Sequence, residues 1–152
     1  MSYEFAFFGN IQGLDSRIGL RTRYDILIEA MGEPHTRETI VLSNGSELIT
    51  LNYDGINFTI RNNRVDEFKI TGEQYRLGGR RRIGIGSTRS QVEEDLQRRQ
   101  GANRLTADCS CSRLRSGISS DGGIHYSLYN ISVAFVFDQD DIVTLMWFRG
   151  GP

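Results

Sequence analysis

Three short turn sequences, Asn44-Gly45, Asp54-Gly55 and Asn62-Asn63, divide the stretch between residues 36 and 71 into four apolar-rich runs. No other feature of the chain restricts its fold as strongly. Asn-Gly and Asp-Gly accept the positive φ angles of two-residue hairpins, and Asn-Asn accepts them less readily. Three such turns imply four strands in a meander, at about 36–43, 46–53, 56–61 and 64–71, each paired with the next. Alternation agrees, with Ile56, Phe58 and Ile60 on one face and Asn57, Thr59 and Arg61 on the other.

A helix signal precedes the meander. The Thr22 hydroxyl is placed to cap free amides, Asp25 favours the positive end of the helix dipole, and Tyr24, Leu27, Ile28 and Met31 recur at helical spacing. Gly32 and Pro34 predict its end. Laid against this first half, the second half shows the same order of elements. Ile18-Gly19-Leu20 matches Ile83-Gly84-Ile85, and Thr22-Arg23 matches Thr88-Arg89 at a second helix over about 88–100. Tyr53, Ile56, Phe58 and Ile60 match Tyr129, Ile131, Val133 and Phe135, while Val65, Phe68 and Ile70 match Ile142, Leu145 and Trp147. The expected fold is therefore α+β: two tandem repeats of a helix and a four-stranded antiparallel sheet, at 1–77 and 78–152. They pack as one compact unit, with one continuous curved sheet and the helices on one face.

A chain of 152 residues is long enough to bury a core, and a charged fraction of 24% is ordinary for a globular protein. The net charge of -1 excludes a general attraction to polyanions, yet ten arginines fall between Arg76 and Arg115, and Lys69 is the only lysine. The first ten residues lack a secretory leader's basic region, and no apolar run approaches the ~18 residues that span a bilayer, so a cytoplasmic location is expected. Cys109 and Cys111 are too close in sequence to pair without strain and are expected as reduced thiols.

Candidate chemistry is sparse. His35 and His125 lack the neighbours that acid–base work needs, and Cys109, Cys111 and His125 do not have zinc-site spacing. The glycine-rich run from Gly78 to Ser87 lacks a phosphate loop's ending, and Asp138, Asp140 and Asp141 lack the glycine and glutamate of a calcium loop. No enzyme activity, cofactor or metal is expected. The arginine-rich middle, with Arg80, Arg81, Arg82, Arg98 and Arg99, suits either phosphates or an acidic protein.

The run Ile83-Gly-Ile-Gly-Ser-Thr-Arg-Ser-Gln-Val92, with Val133 to Asp138 and Ile142 to Leu145, resembles the β-lactamase inhibitory protein and its relatives. Phe8 to Gly13, Met31-Gly-Glu-Pro34 and Leu51 to Phe58 are similar to small bacterial immunity proteins that neutralise toxins. These resemblances imply tandem repeats whose sheets grip a protein partner. If Phe58 and Phe68 face the helix, the duplication makes Val133 and Leu145 do the same. Arg61, Glu67, Lys69, Val136, Met146 and Phe148 are then left on the opposite face as the partner-binding surface, with Arg98 and Arg113 from the arginine-rich middle. The expected function is a bacterial immunity protein that blocks a toxin or enzyme by covering its active site. The alternatives are an assembly factor of the cell envelope and a nucleic-acid-associated protein.

Overall fold

The computed structural model describes residues 11–78, 82–106, 115–118, 124–128 and 131–150. Among these residues two helices, α1 (Tyr24–Met31) and α2 (Arg89–Thr106), accompany eight strands. The strands are β1 (Thr36–Val41), β2 (Glu47–Tyr53), β3 (Ile56–Arg61), β4 (Arg64–Ile70), β5 (Arg115–Ile118), β6 (Ile124–Leu128), β7 (Ile131–Phe137) and β8 (Val143–Gly150). They form one antiparallel sheet in the order β1-β2-β3-β4-β8-β7-β6-β5, so the last strand enters the middle and pairs with β4.

The four meander strands lie between the predicted turns, but the turns divide the work differently. Both Asn62 (φ 50) and Asn63 (φ 63) take positive φ, as a type I′ hairpin requires, whereas at Asp54-Gly55 only the glycine (φ 78) does. Around Asn44 the chain makes a longer turn, in which Gly45 N–H donates to Leu42 O and Leu42 N–H to Ser46 O. Gly55 could not be replaced freely, since a Cβ there would sit 2.7 Å from Gln74 Nε2 and 2.9 Å from the Gly72 Cα.

The helix starts also differ from each other. Thr22 does not cap α1; its hydroxyl accepts the Gly19 N–H at 2.8 Å and closes the preceding loop, while Arg23 occupies the cap position without a side-chain capping bond, its guanidinium donating to Asp25 instead. Thr88 does cap α2, in a reciprocal box: Gln91 N–H donates to Thr88 Oγ1 at 3.2 Å and Thr88 N–H to Gln91 Oε1 at 2.9 Å.

The molecule is mostly β, which corrects the expectation of two tandem helix-plus-sheet repeats. Packing supplies the reason. Among the described side chains, α1 contributes one buried residue, Leu27, and α2 contributes Val92 and the polar Asp95. α1 adds Tyr24, Ile28, Ala30 and Met31, partly buried against the same core. Non-helical segments complete the layer over the sheet, through Ile11, Leu14, Ile18 and Leu20 before α1 and Tyr75, Leu77 and Ile83 after β4, so neither helix covers its four strands alone. The core is instead one cluster, running from Leu51 and Phe58 through Phe68 and Phe148 to Val133 and Phe135. Isolated bridges, Gln12 to Arg76 and Arg76 to Gly84, pin the loop segments over it.

Candidate functional site

The seam between β4 and β8 sets up two opposite surfaces. Its register pairs Phe68 with Phe148 and Ile70 with Met146, and between them Glu67 with Arg149 and Lys69 with Trp147. Because strand side chains alternate, the first pairs point into the core and the second pairs point away from it. Phe68 and Phe148 stack at 4.7 Å with 12° between their planes, and both are fully buried.

This overturns the placement of two expected binding residues. Met146 and Phe148, assigned to the partner-facing surface by the sequence, are both at 0% exposure within the core. A one-residue offset in the match, not its spacing, explains the error. Register shifts between Val136 and Phe137, so that Val136 pairs with Leu145 and Phe137 with Val143, leaving Thr144 as the extra residue. The inward set of β8 is thus Val143, Met146 and Phe148, with the same spacing as Val65, Phe68 and Ile70 in β4. Matching β4 from Ile142 instead of Val143 shifts the strand by one residue, and a one-residue shift exchanges its two faces.

On the outward face Trp147, half-buried, is held on several sides. Its indole N–H donates to Glu67 Oε2 at 3.1 Å. The Lys69 ammonium and the Arg149 guanidinium each lie 4.6 Å from its ring centroid, within cation–π range. Arg149 Nε also approaches Glu67 Oε2 at 3.5 Å, so this one carboxylate fixes both the ring and one of its cations. Nearby, Arg61 Nε pairs with Asp66 Oδ2 at 3.7 Å. Half-buried Val136, Leu145 and Ala134 extend the face on the β7 side, and Thr59 and Asn57 border it on β3, opposite Glu67 and Lys69.

Of the residues expected from sequence, Arg61, Glu67, Lys69 and Val136 therefore share this face, and Met146 and Phe148 do not. Arg98 is on α2, bound to the buried Asp95 at 3.0 Å, and Arg113 lies outside the described residues. The sequence missed Trp147 and Arg149. Their signal was the alternation of Met146, Trp147, Phe148 and Arg149, which separates the faces once the strand is anchored on Val143.

The other candidates resolve simply. Asp138 Oδ1 accepts the N–H groups of Asp140 and Ile142 at 2.8 and 3.1 Å, a side-chain-stabilised turn. Among the described residues no three His, Cys, Asp or Glu side chains gather as metal ligands. Cys109 and Cys111 lie outside the described residues. Among the described residues no helix is long and apolar enough to cross a membrane.

No family model matches the chain, and no curated protein matches it. Solved structures that share its fold include two bacterial proteins. An extracellular protein containing an SCP domain from Bacillus anthracis superimposes with a TM-score of 0.54 at 14% identity, covering 90% of this chain and 47% of its own. A DUF4309 family protein from Bacillus subtilis superimposes with a TM-score of 0.53 at 13% identity, covering 97% of this chain and 92% of its own. The chain thus spans about half of the first neighbour and nearly all of the second. At such identities the likeness is one of fold alone: this chain has the sheet architecture found in those two proteins.

Proposed function

We propose that the protein is a binding module that grips a protein partner with the outward face of the β4–β8 seam, Trp147 being the anchor. The observation that carries this is the fixed state of the indole, bonded to Glu67 and flanked by Lys69 and Arg149. Tryptophan and arginine dominate binding hot spots, and a ring already held in place loses little conformational freedom on docking.

Charge points to an acidic partner surface. Arg149 has Glu67 and Arg61 has Asp66, but Lys69 makes no ion pair within the described residues. A carboxylate on the partner completes that arrangement. Nucleic acid is the poorer match, since Glu67 and Asp66 would repel a phosphate backbone and Arg98 is already engaged by Asp95. The expected role of covering the active site of a toxin or enzyme fits the same surface, with Trp147 in place of Met146 and Phe148.

The test is recovery of a stoichiometric partner from native extract or by co-expression with neighbouring genes, using wild type, Trp147→Ala and Lys69→Glu. Wild type retains the partner in a salt-sensitive manner and both variants release it. Equal recovery by all three chains would refute the surface.

A further inference from the structure

Among the described residues the sheet ends at β1, a strand whose exposure sets it apart from the other strands. All six residues from Thr36 to Val41 are exposed, and among the described residues the exposed large hydrophobic side chains are Ile40 (58%) and Val41 (66%), adjacent within that strand. End strands usually carry charged side chains, proline or a bulge that discourages further pairing. β1 confines its charges to Arg37 and Glu38, leaves Thr39 to Val41 without any, and pairs with β2 without interruption from Thr36 to Val41.

The direction of its free backbone groups follows from the ladder. Ser46 O accepts the Leu42 N–H and Asn52 O the His35 N–H, each at 2.8 Å, so Ser46 and Asn52, at alternate positions of the second strand, turn their carbonyls toward β1. Bonded and non-bonded pairs alternate along an antiparallel ladder, so Thr36, Glu38 and Ile40 bond to β2 while Arg37, Thr39 and Val41 turn their N–H and C=O groups outward. Ile40 lies opposite Leu48 and Val41 opposite Glu47, so the two apolar side chains occupy opposite faces.

We propose that the occupant of this edge is a second copy of the chain, its β1 antiparallel to the first about a two-fold axis through Ile40. Self-complementarity selects both occupant and register. With Ile40 on the axis, the two Ile40 side chains meet on one face, and on the other each Val41 lies across from Thr39 of the second copy. Thr39 and Val41 are residues whose backbone groups point outward, so each such pair closes both of its N–H···O bonds. Glu38 then faces Leu42, beyond the end of β1, so within the strand no charged residue opposes an apolar one. An axis through Thr39 sets Glu38 against Ile40 and Arg37 against Val41 inside the strand, and an axis through Glu38 brings two carboxylates together, which is unfavourable for directly opposed strand residues. An axis through Val41 matches Ile40 with Leu42 but leaves one bonded pair, Val41 with its copy, within the strands. The result is one sheet continued through two molecules, with both Trp147 faces on the same side. A single strand pairing falls below the ~1,200 Å² of firm interfaces, so the dimer is weak and concentration-dependent.

Sedimentation of the full chain over a concentration series up to about 1 mM is expected to show a monomer–dimer equilibrium. Ile40→Lys places two ammonium groups on the axis, and Thr39→Pro removes an outward donor without touching a β2 bond. Each is expected to weaken association about tenfold or more while the far-ultraviolet circular dichroism stays unchanged. In a Cys109→Ser, Cys111→Ser background, Ile40→Cys should oxidise to a covalent dimer. The facing Cα atoms of a non-bonded pair are about 4.5 Å apart, a distance a disulfide spans. Glu38→Cys, two residues off the axis, should cross-link poorly. A chain that stays monomeric throughout overturns the proposal and leaves the edge for a foreign strand. A dimer that neither edge substitution weakens overturns the interface, and equal cross-linking of the two cysteine variants overturns the register.

Discussion

The two faces of the β4–β8 seam are made by the same two strands, yet they behave as different materials. On one, Phe68 and Phe148 stack 4.7 Å apart beneath the loops that cover the core. On the other, one residue along, Trp147 lies among Lys69, Arg149 and Glu67. The contrast shows how little sequence separates stabilisation from recognition: alternate positions of one strand supply each, and the backbone register decides which side chain serves which purpose.

Truncation on the inner face should give the largest effect. Phe148→Ala removes a fully buried ring stacked on Phe68, at the point where the sheet's two sets of strands meet. Core Phe→Ala replacements cost ~3–5 kcal/mol, a large fraction of a small domain's stability. Urea unfolding followed by circular dichroism measures this, and a loss under about 1 kcal/mol would mean that Phe148 is not the core residue described here.

Trp147→Ala, one position earlier, should reverse that profile. Its ring is half-buried and touches polar groups, so truncation costs about 1 kcal/mol of stability. Partner affinity should fall by about 2 kcal/mol or more, roughly thirtyfold in Kd, as for a central aromatic anchor. Titration calorimetry with the recovered partner and urea unfolding of the free chain separate the two quantities. A variant that loses stability as severely as Phe148→Ala would erase the distinction between the faces.

Much of this was legible in the sequence, unevenly. The turns at Asn44, Asp54 and Asn62 mark the first four strands because a short turn needs particular residues, and local chemistry leaves few choices. The Thr88 cap was visible because a capping box is likewise local. The face of β8 was not. The spacing across the extra residue Thr144 was already in the match to β4, but Ile142 and Val143 are both apolar and β-branched, and only pairing across the sheet decides which of them starts the inward set. The thin contribution of the helices was hidden for a similar reason. Helical periodicity shows where a helix forms but not how much of the core it covers, and here loops supply Ile11, Leu14, Ile18 and Leu77 in its place. Trp147 and Arg149 stayed unrecognised as a pair with Lys69 and Glu67 because the β4–β8 pairing joins residues about eighty positions apart, which no local pattern encodes.

Acid should produce the smallest effect, and only on the covered side. The loop that brings Leu14 and Ile18 into the core is shaped by Asp15, whose carboxylate accepts the Arg17 N–H at 2.9 Å and pairs with its guanidinium at 2.9 Å. The Arg17 side chain, and then its backbone N–H, lower the Asp15 pKa from 3.8 to about 2. A carboxyl whose folded pKa lies below its unfolded one binds protons less readily when folded, so its contribution is complete above about 3.8 and disappears as pH falls through about 2. Since Asp15 is at the surface, solvent and salt screen the pair and the contribution is small. The gap in melting temperature between wild type and Asp15→Asn should be steady above pH 5 and close between about pH 4 and pH 2, shrinking further at high salt. A gap that persists unchanged at pH 2 would mean that the loop is held by the packing of Leu14 and Ile18 and owes nothing to the charge on Asp15.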